Sequence, residues 1–409
     1  MIFRATLFFI HFLVCQSELV IASPHPSFLK EEFEIGLKKY FKTRLGIDIK
    51  VIWFELGGAI DILRYILQFR EQSGIDIVFG GGTDPFEELK RENLLDKIEL
   101  PGEIDNQIPK TLGDLYLKDP DLTWISVSLS CFGLAFHKTL VTNLIQKKDL
   151  FWTDLTHPSF FKKIAISDPR KSGSARFIYE IILQNFGWNE GWRIFYHLAR
   201  NANSFAFHSS ELIKKLSLGE VVLAPMIESH GERAKRITKN LDFKIPSDVA
   251  VYFGDAIGIL KHGKNKKYAK IAVEFALTEF QKTLTYRLAT PGGPLKYQIS
   301  RMAANPVVYE SPHVAEEIHN PFKSHTVLKS SFDTKLSVSR WYELSTLFGG
   351  IIVDFGYKFK KINPARIDLL PPPIPEDEFS KIVDTKKWRK ASQKDIDLAR
   401  IRVQLSSYF

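Results

Sequence analysis

The run Trp124-Ile-Ser-Val-Ser-Leu-Ser-Cys-Phe-Gly-Leu-Ala-Phe136 constrains this chain more than any other stretch. Its β-branched, aromatic and small residues read as one strand, yet it is about twice the usual length of roughly five or six residues. A strand that long outruns one small sheet and is expected to cross between two lobes. Ser126, Ser128 and Ser130 share one of its faces by the period of two, where hydroxyls would either line a cleft or make a half-buried face mildly polar. The 409 residues, 44% hydrophobic and 13% aromatic, suffice for two domains or one deeply cleft body.

A second stretch carries chemistry. In Ile164-Ala-Ile-Ser-Asp-Pro-Arg-Lys-Ser-Gly-Ser-Ala175 a strand ends at Asp168-Pro169, small polar residues turn, and a helix begins near Ser174. The first amides of a helix lack intrahelical partners and its dipole adds partial positive charge, so Ser172, Gly173 and Ser174 form a cradle for an anionic group. The same residues also suit an ordinary N-cap serving its own helix.

The chain carries a formal charge of +9, but its basic residues are scattered, without the dense or aromatic-interleaved runs of a nucleic-acid binder, and no nucleic-acid partner is expected. Arg4, the apolar run Ala5 to Val14 and small residues at Ser17 and Ala22-Ser23 read as a secretory signal over residues 1–23, cleaved near Ala22 or Ser23, with Ser17 as the other position. No later run approaches the roughly 20 apolar residues of a membrane helix, so a periplasmic protein is expected. Val14 stands before Cys15 where lipidation calls for a small residue, which argues against an anchor there. Cys131, alone after cleavage, reads as a core residue within the long strand.

Elsewhere strands and helices alternate. A helix over Phe33–Tyr40, a strand over Ile47–Phe54 and a helix over Ala59–Phe69 are followed by a strand ending in Gly80-Gly81-Gly82-Thr83-Asp84, which opens another helix. Glycines at strand C-termini mark the edge of an open sheet where ligands sit. The triple glycine lacks the spacing of a dinucleotide or Walker loop. A helix is expected near Ser209 to Leu216, a strand over Val221–Ile227 ending in Glu228-Ser229-His230, a strand over Tyr252–Leu260 and one long helix over Lys266–Leu284. There is no Gly-x-Ser-x-Gly elbow and no His-Glu-x-x-His helix, and an enzyme is not expected.

Together, Gly57-Gly58, Phe79-Gly-Gly-Gly-Thr-Asp-Pro-Phe86, Trp124–Phe136, Ile164–Ala175, Phe186-Gly-Trp188, Asp255-Ala-Ile-Gly-Ile-Leu260, Thr290-Pro-Gly-Gly-Pro294, Asn320-Pro-Phe322 and Arg340-Trp341 resemble the extracellular solute-binding proteins of ATP-driven importers. The resemblance lies with the ferric and phosphorylated-compound branch. It implies an α/β, two-lobed periplasmic-binding-protein fold of type II, each lobe a mixed sheet flanked by helices with ligand in the interlobe cleft. The implied layout is residues 24–128 and 254–325 for the first lobe, 129–253 for the second, and 326–361 for a helical segment packed on both. Residues 362–409, with Leu370-Pro-Pro-Pro-Ile-Pro375, depart from the family and read as an extended linker and a short terminal helix.

On this reading the protein is a monomeric, cofactor-free binding component. It delivers a small anionic solute, such as a sugar phosphate or phosphoglycerate, to an ABC permease in the inner membrane. Ser172, Gly173, Ser174 and Thr83 would hold the anionic group, His208, Ser209 and Glu228 the polar remainder, and Gly58 and Ser128 would line the cleft. Ferric binders of this kind place adjacent tyrosines where this chain has Pro225-Met-Ile-Glu-Ser-His230, so a tyrosine-type iron site is not expected. The alternatives are a metal site on Glu228, His230 and His208, and a ligand sensor feeding a signalling kinase.

Overall fold

A computed structural model describes residues 17–147, 149–207, 209–323, 331–384 and 391–408. The strands in chain order are β1 (Glu18–Ala22), β2 (Lys50–Phe54), β3 (Ile77–Phe79), the short hairpin β4 (Thr111–Leu112) and β5 (Leu115–Tyr116), and β6 (Ile125–His137). They continue with β7 (Ile164–Ser167), β8 (Ala202–Ala206), β9 (Leu223–Ile227), β10 (Leu241–Lys244), β11 (Tyr252–Ile259) and β12 (Met302–Ala303).

The long strand crosses, as its length requires. The first half of β6 pairs with β11 from Ile125 to Cys131, and β11 continues to β3, β1 and β2. Its second half pairs with β9 from Phe132 to Phe136 and with β10 over Leu134–His137, and β9 continues to β7 and β8. At about 3.3 Å per residue the strand spans roughly 40 Å, enough to serve both lobes. Both lobes mix parallel and antiparallel pairs and have helices packed on the sheet, an α/β fold of two lobes on one continuous sheet.

Three expectations change. Glu18–Ala22 is an interior strand paired on both sides, with Leu19, Ile21 and Ala22 fully buried. A cut at Ala22 or Ser23 would remove this strand, whereas the other expected position, Ser17, would keep it; residues 1–16, Cys15 among them, lie outside the described residues. The expected single helix Lys266–Leu284 is two, Lys266–Leu277 and Glu279–Thr285, broken at Thr278 with φ −116° and ψ −93°. Residues 362–384 are no free linker: Ile362, Ile367, Ile374 and Phe379 are buried in the second lobe's core, and the Pro371 and Ile374 carbonyls accept from Tyr196 Oη (2.9 Å) and Trp188 Nε1 (2.8 Å).

The helix Thr334–Phe348 ties the lobes together. Its Ser337 hydroxyl donates to Asp84 at the start of the first-lobe helix Asp84–Arg91 (2.9 Å) and accepts from Arg176 of the second-lobe helix Gly173–Phe186 (2.8 Å). Arg176 and Asp84 form an ion pair, each side chain 1% exposed, and the guanidinium lies between the rings of Phe177 (4.3 Å) and Trp341 (4.0 Å).

Candidate functional site in the interlobe cleft

The crossing strand β6, its neighbour β11 and the turns after β1, β2, β3 and β7 open onto one cleft of about 840 Å³. Two helix N-termini meet there, that of Ala59–Phe69 at Gly57-Gly58 and that of Gly173–Phe186 at Ser172-Gly173-Ser174. A Cβ on Gly58 would lie 3.6 Å from the Lys171 carbonyl, so the two turns approach each other closely. The triple glycine after β3 runs through positive φ at all three positions (92°, 97° and 87°), and a Cβ there would strike His25 at Gly80 and Phe177 at Gly82. Glycine is needed both for the backbone conformation and for the approach of those rings.

Ser172 accepts a hydrogen bond from the Ala175 amide (3.3 Å), so it is both the N-cap of its helix and part of the cleft wall. Ser174 and Gly173 line the cleft beside it. The charged side chains of the wall are Lys171, Arg233, Arg236 and Arg301 against one carboxylate, Asp255. On the floor, Arg301 pairs with Asp255 (3.0 Å) and donates to Ser130 Oγ (2.9 Å), while His25 approaches Arg301 (3.2 Å) and Asp255 (3.4 Å). Asp255 also accepts from the Gly82 amide (3.1 Å). Burial alone would push the Asp255 carboxyl up, but His25, Arg301 and the Gly81 and Gly82 amides together hold it below the usual range. Burial drives His25 down to about 4, against the raising field of Asp255, so its imidazole is neutral at pH 7. The His25–Asp255 contact is then one of a neutral ring beside a carboxylate.

The other expected residues fall elsewhere. Thr83 is buried with its methyl close to Gly254, and Ser128 is buried beside Asp255 at a long 3.5 Å; neither lines the cleft. Of the serine face of β6 only Ser130 reaches it, because Gly254 covers Ser126 and Asp255 stands over Ser128. Arg170 turns away, bound to Asp168 (2.6 Å) and Asp354 (2.8 Å). Ser209 starts the helix Ser209–Ser217, and His208 lies outside the described residues. Glu228 is buried and faces a different cavity, whereas His230, two residues on, lines the cleft, so these two do not converge on one ion. Burial raises Glu228 to about 8, despite Arg301 nearby, and lowers His230 to about 4. Among the described residues no group of three His, Cys, Asp or Glu side chains is placed to hold a metal ion.

Of the serines that the strand pattern offered to a cleft, Ser130 reaches it; His25, Asp255, Arg301, Lys171, Arg233 and Arg236 are cleft residues that sequence reasoning missed. His25 sat at the edge of the supposed leader, and Arg301 reaches Ser130 across 171 positions of chain, a distance at which local pattern carries no signal.

A family described as bacterial extracellular solute-binding protein matches residues 73–298. Among curated proteins, the chain is 19% identical over 292 residues to the phosphoglycerate transport regulatory protein PgtC of Salmonella typhimurium, covering 67% of each. Among solved structures it resembles the periplasmic binding protein AfuA of Actinobacillus pleuropneumoniae with fructose-6-phosphate bound (TM-score 0.61, 22% identity, 80% of this chain and 98% of that one). It also resembles iron-bound HitA of Pseudomonas aeruginosa (TM-score 0.59, 16% identity, 81% and 99%).

Proposed function

Because the chain belongs to the bacterial extracellular solute-binding proteins, we propose that it is the substrate-binding component of an ABC importer for a small phosphorylated or carboxylated organic anion. It captures the solute outside the cytoplasm and hands it to a membrane permease. A sugar phosphate or a phosphoglycerate fits this class.

The observation that carries this reading is the excess positive charge of the cleft wall, Lys171 and Arg233 beside an Arg236 paired with Glu317 and an Arg301 paired with Asp255, converging with the N-terminus of the helix Gly173–Phe186. Helix N-termini and arginine forks are the groups that recognise phosphate and carboxylate oxygens. The solved relative with fructose-6-phosphate bound and the curated relative named for phosphoglycerate transport support the same class. Iron is less well served. Ferric ion calls for several hard oxygen donors, and in this cleft the carboxylate of Asp255 is already committed to Arg301 and the tyrosine lining the wall is Tyr297. Ligand is expected to favour a closed arrangement of the lobes by binding it more tightly than the open one.

The test is a thermal-shift screen on secreted protein stripped by unfolding and refolding, against sugar phosphates, phosphoglycerates, carboxylates and ferric citrate. A ligand present at about a hundred times its Kd stabilises by about 2.7 kcal/mol, a shift of several degrees. Stabilisation by an organic phosphate or carboxylate and not by iron is expected; stabilisation by ferric citrate alone would sink the reading. The word "regulatory" in the name of the curated relative favours a second role, in which occupancy is reported to a signalling partner. A ligand response that persists in a permease-deletion strain would support it.

A further inference from the structure

The helix Glu228–Ile237 separates two chambers. Ser229, His230, Arg233 and Arg236 line the cleft, while Glu228 and Glu232, one turn apart, line a second cavity of about 300 Å³. The wall of that cavity is apolar at Phe243, Ile245, Met302 and Ile318, and polar at Glu228, Glu232, Glu317, Lys244 and His319.

Its ionisable side chains have side-chain partners but for Glu228. Glu232 pairs with Lys235 (3.0 Å), Glu317 with Arg236 (2.9 Å), and Lys244 with Asp149 (3.5 Å). His319 Nε2 is hydrogen-bonded to the Tyr252 hydroxyl (2.7 Å). Glu228 is 4% exposed and its carboxyl oxygens have no side-chain partner; only the backbone amides of Cys131 and Ser229 bear on them, outside normal hydrogen-bond geometry. Arg301 exerts its field on Glu228, but its guanidinium is taken up by Asp255, Ser130 and His25. A buried carboxyl without a side-chain partner, opening onto a cavity whose wall is part apolar and part polar, is an unusual arrangement that a ligand would explain.

We propose that this second cavity binds a small organic monocation, a primary alkylammonium whose charged head bonds to Glu228 and whose carbon stem lies against Phe243, Ile245, Met302 and Ile318. Without a ligand, burial keeps that carboxyl protonated to about pH 8; an ammonium head seated beside it drives the proton off to solvent, so one carboxylate then meets one positive charge. The carboxylates here do not converge as a metal site requires. The site is independent of the anion cleft, so either can fail without the other.

The probe is n-propylammonium chloride, titrated into the full secreted chain and followed by ligand-observed NMR, with n-propanol and sodium chloride as controls. Saturable binding of n-propylammonium, at least tenfold tighter than any binding of n-propanol, is expected. Glu228→Gln is expected to weaken it at least tenfold, with an intact fold shown by an unchanged circular dichroism spectrum. Ile318→Trp, which narrows the apolar wall and leaves every charge in place, is expected to do the same and keeps the proposal testable should Glu228→Gln not fold. Absence of saturation, equal binding of n-propanol, or undiminished binding in a folded Glu228→Gln or Ile318→Trp variant would overturn it.

Discussion

Ser172 and Ser174 stand two residues apart on the same turn but do different work. Ser172 Oγ caps the helix, whereas Ser174 stands in its first turn. Ser172→Ala is expected to lower stability by about 1 kcal/mol, the usual cost of losing a cap, as well as weakening anion binding. Ser174→Ala is expected to leave the urea midpoint within error and to weaken anion binding by about 1–3 kcal/mol for a lost charge-assisted bond; unchanged affinity, measured by calorimetry, would remove Ser174 from the cradle. Three buried titratable groups set a pH optimum. His25 and His230, lowered from 6.5 to about 4, stay neutral in the fold while the unfolded chain takes up protons, so their contribution is lost as pH falls from 6.5 towards 4. Glu228, raised from 4.5 to about 8, keeps its proton in the fold, so its contribution is lost as pH rises from 4.5 through 8. Between 4.5 and 6.5 the two histidines outweigh the one glutamate, and stability rises with pH; from 6.5 to 8 the glutamate acts alone, and stability falls. For these groups a maximum near pH 6.5 is expected in urea midpoints, and Glu228→Gln is expected to flatten the alkaline side.

At the level of elements, local pattern reported the strand–turn–helix units well and their company poorly. The helix Ala59–Phe69 has the bounds its periodicity predicts. By sequence alone Glu18–Ala22 reads as the end of a leader, because an apolar run followed by Ala22-Ser23 suits a signal peptidase as well as a core strand. What decides between them is the pairing with β2 and β3, which come more than 25 residues later. The secreted chain is therefore expected to begin at Ser17 or Glu18, and an intact mass placing its N-terminus at Ser23 or Pro24 would contradict the position of β1. The proline run Leu370–Pro375 misled for a related reason. Its backbone propensity is extended in a linker and in a packed strap alike, and proline keeps a carbonyl that Tyr196 and Trp188 can reach.

Across the whole molecule, stability is concentrated where the lobes are tied. Asp84→Ala is expected to cost roughly 3–5 kcal/mol in urea unfolding, because it leaves the buried Arg176 without its counter-charge. Arg170→Ala, at a half-buried pair with Asp168 and Asp354, is expected to cost about 1 kcal/mol or less; equal losses would show that burial does not set the difference. The sequence by itself determined the two lobes, since thirteen strand residues in a row need more pairing partners than one lobe's strands supply. It also determined the strand–turn–helix unit at Ser172-Gly173-Ser174, since glycine and serine at a helix start act through their own backbone amides. Tertiary structure alone decided which side chains share the cleft: His25, Ser130, Asp255 and Arg301 come from four separate segments, and Glu228 and His230, two residues apart, face different chambers because a helix turns about 100° per residue. Patterns within a dozen residues reflect backbone geometry and hydrophobic period, which are local. The meeting of charges across hundreds of residues depends on how the whole sheet closes, and no local pattern records it.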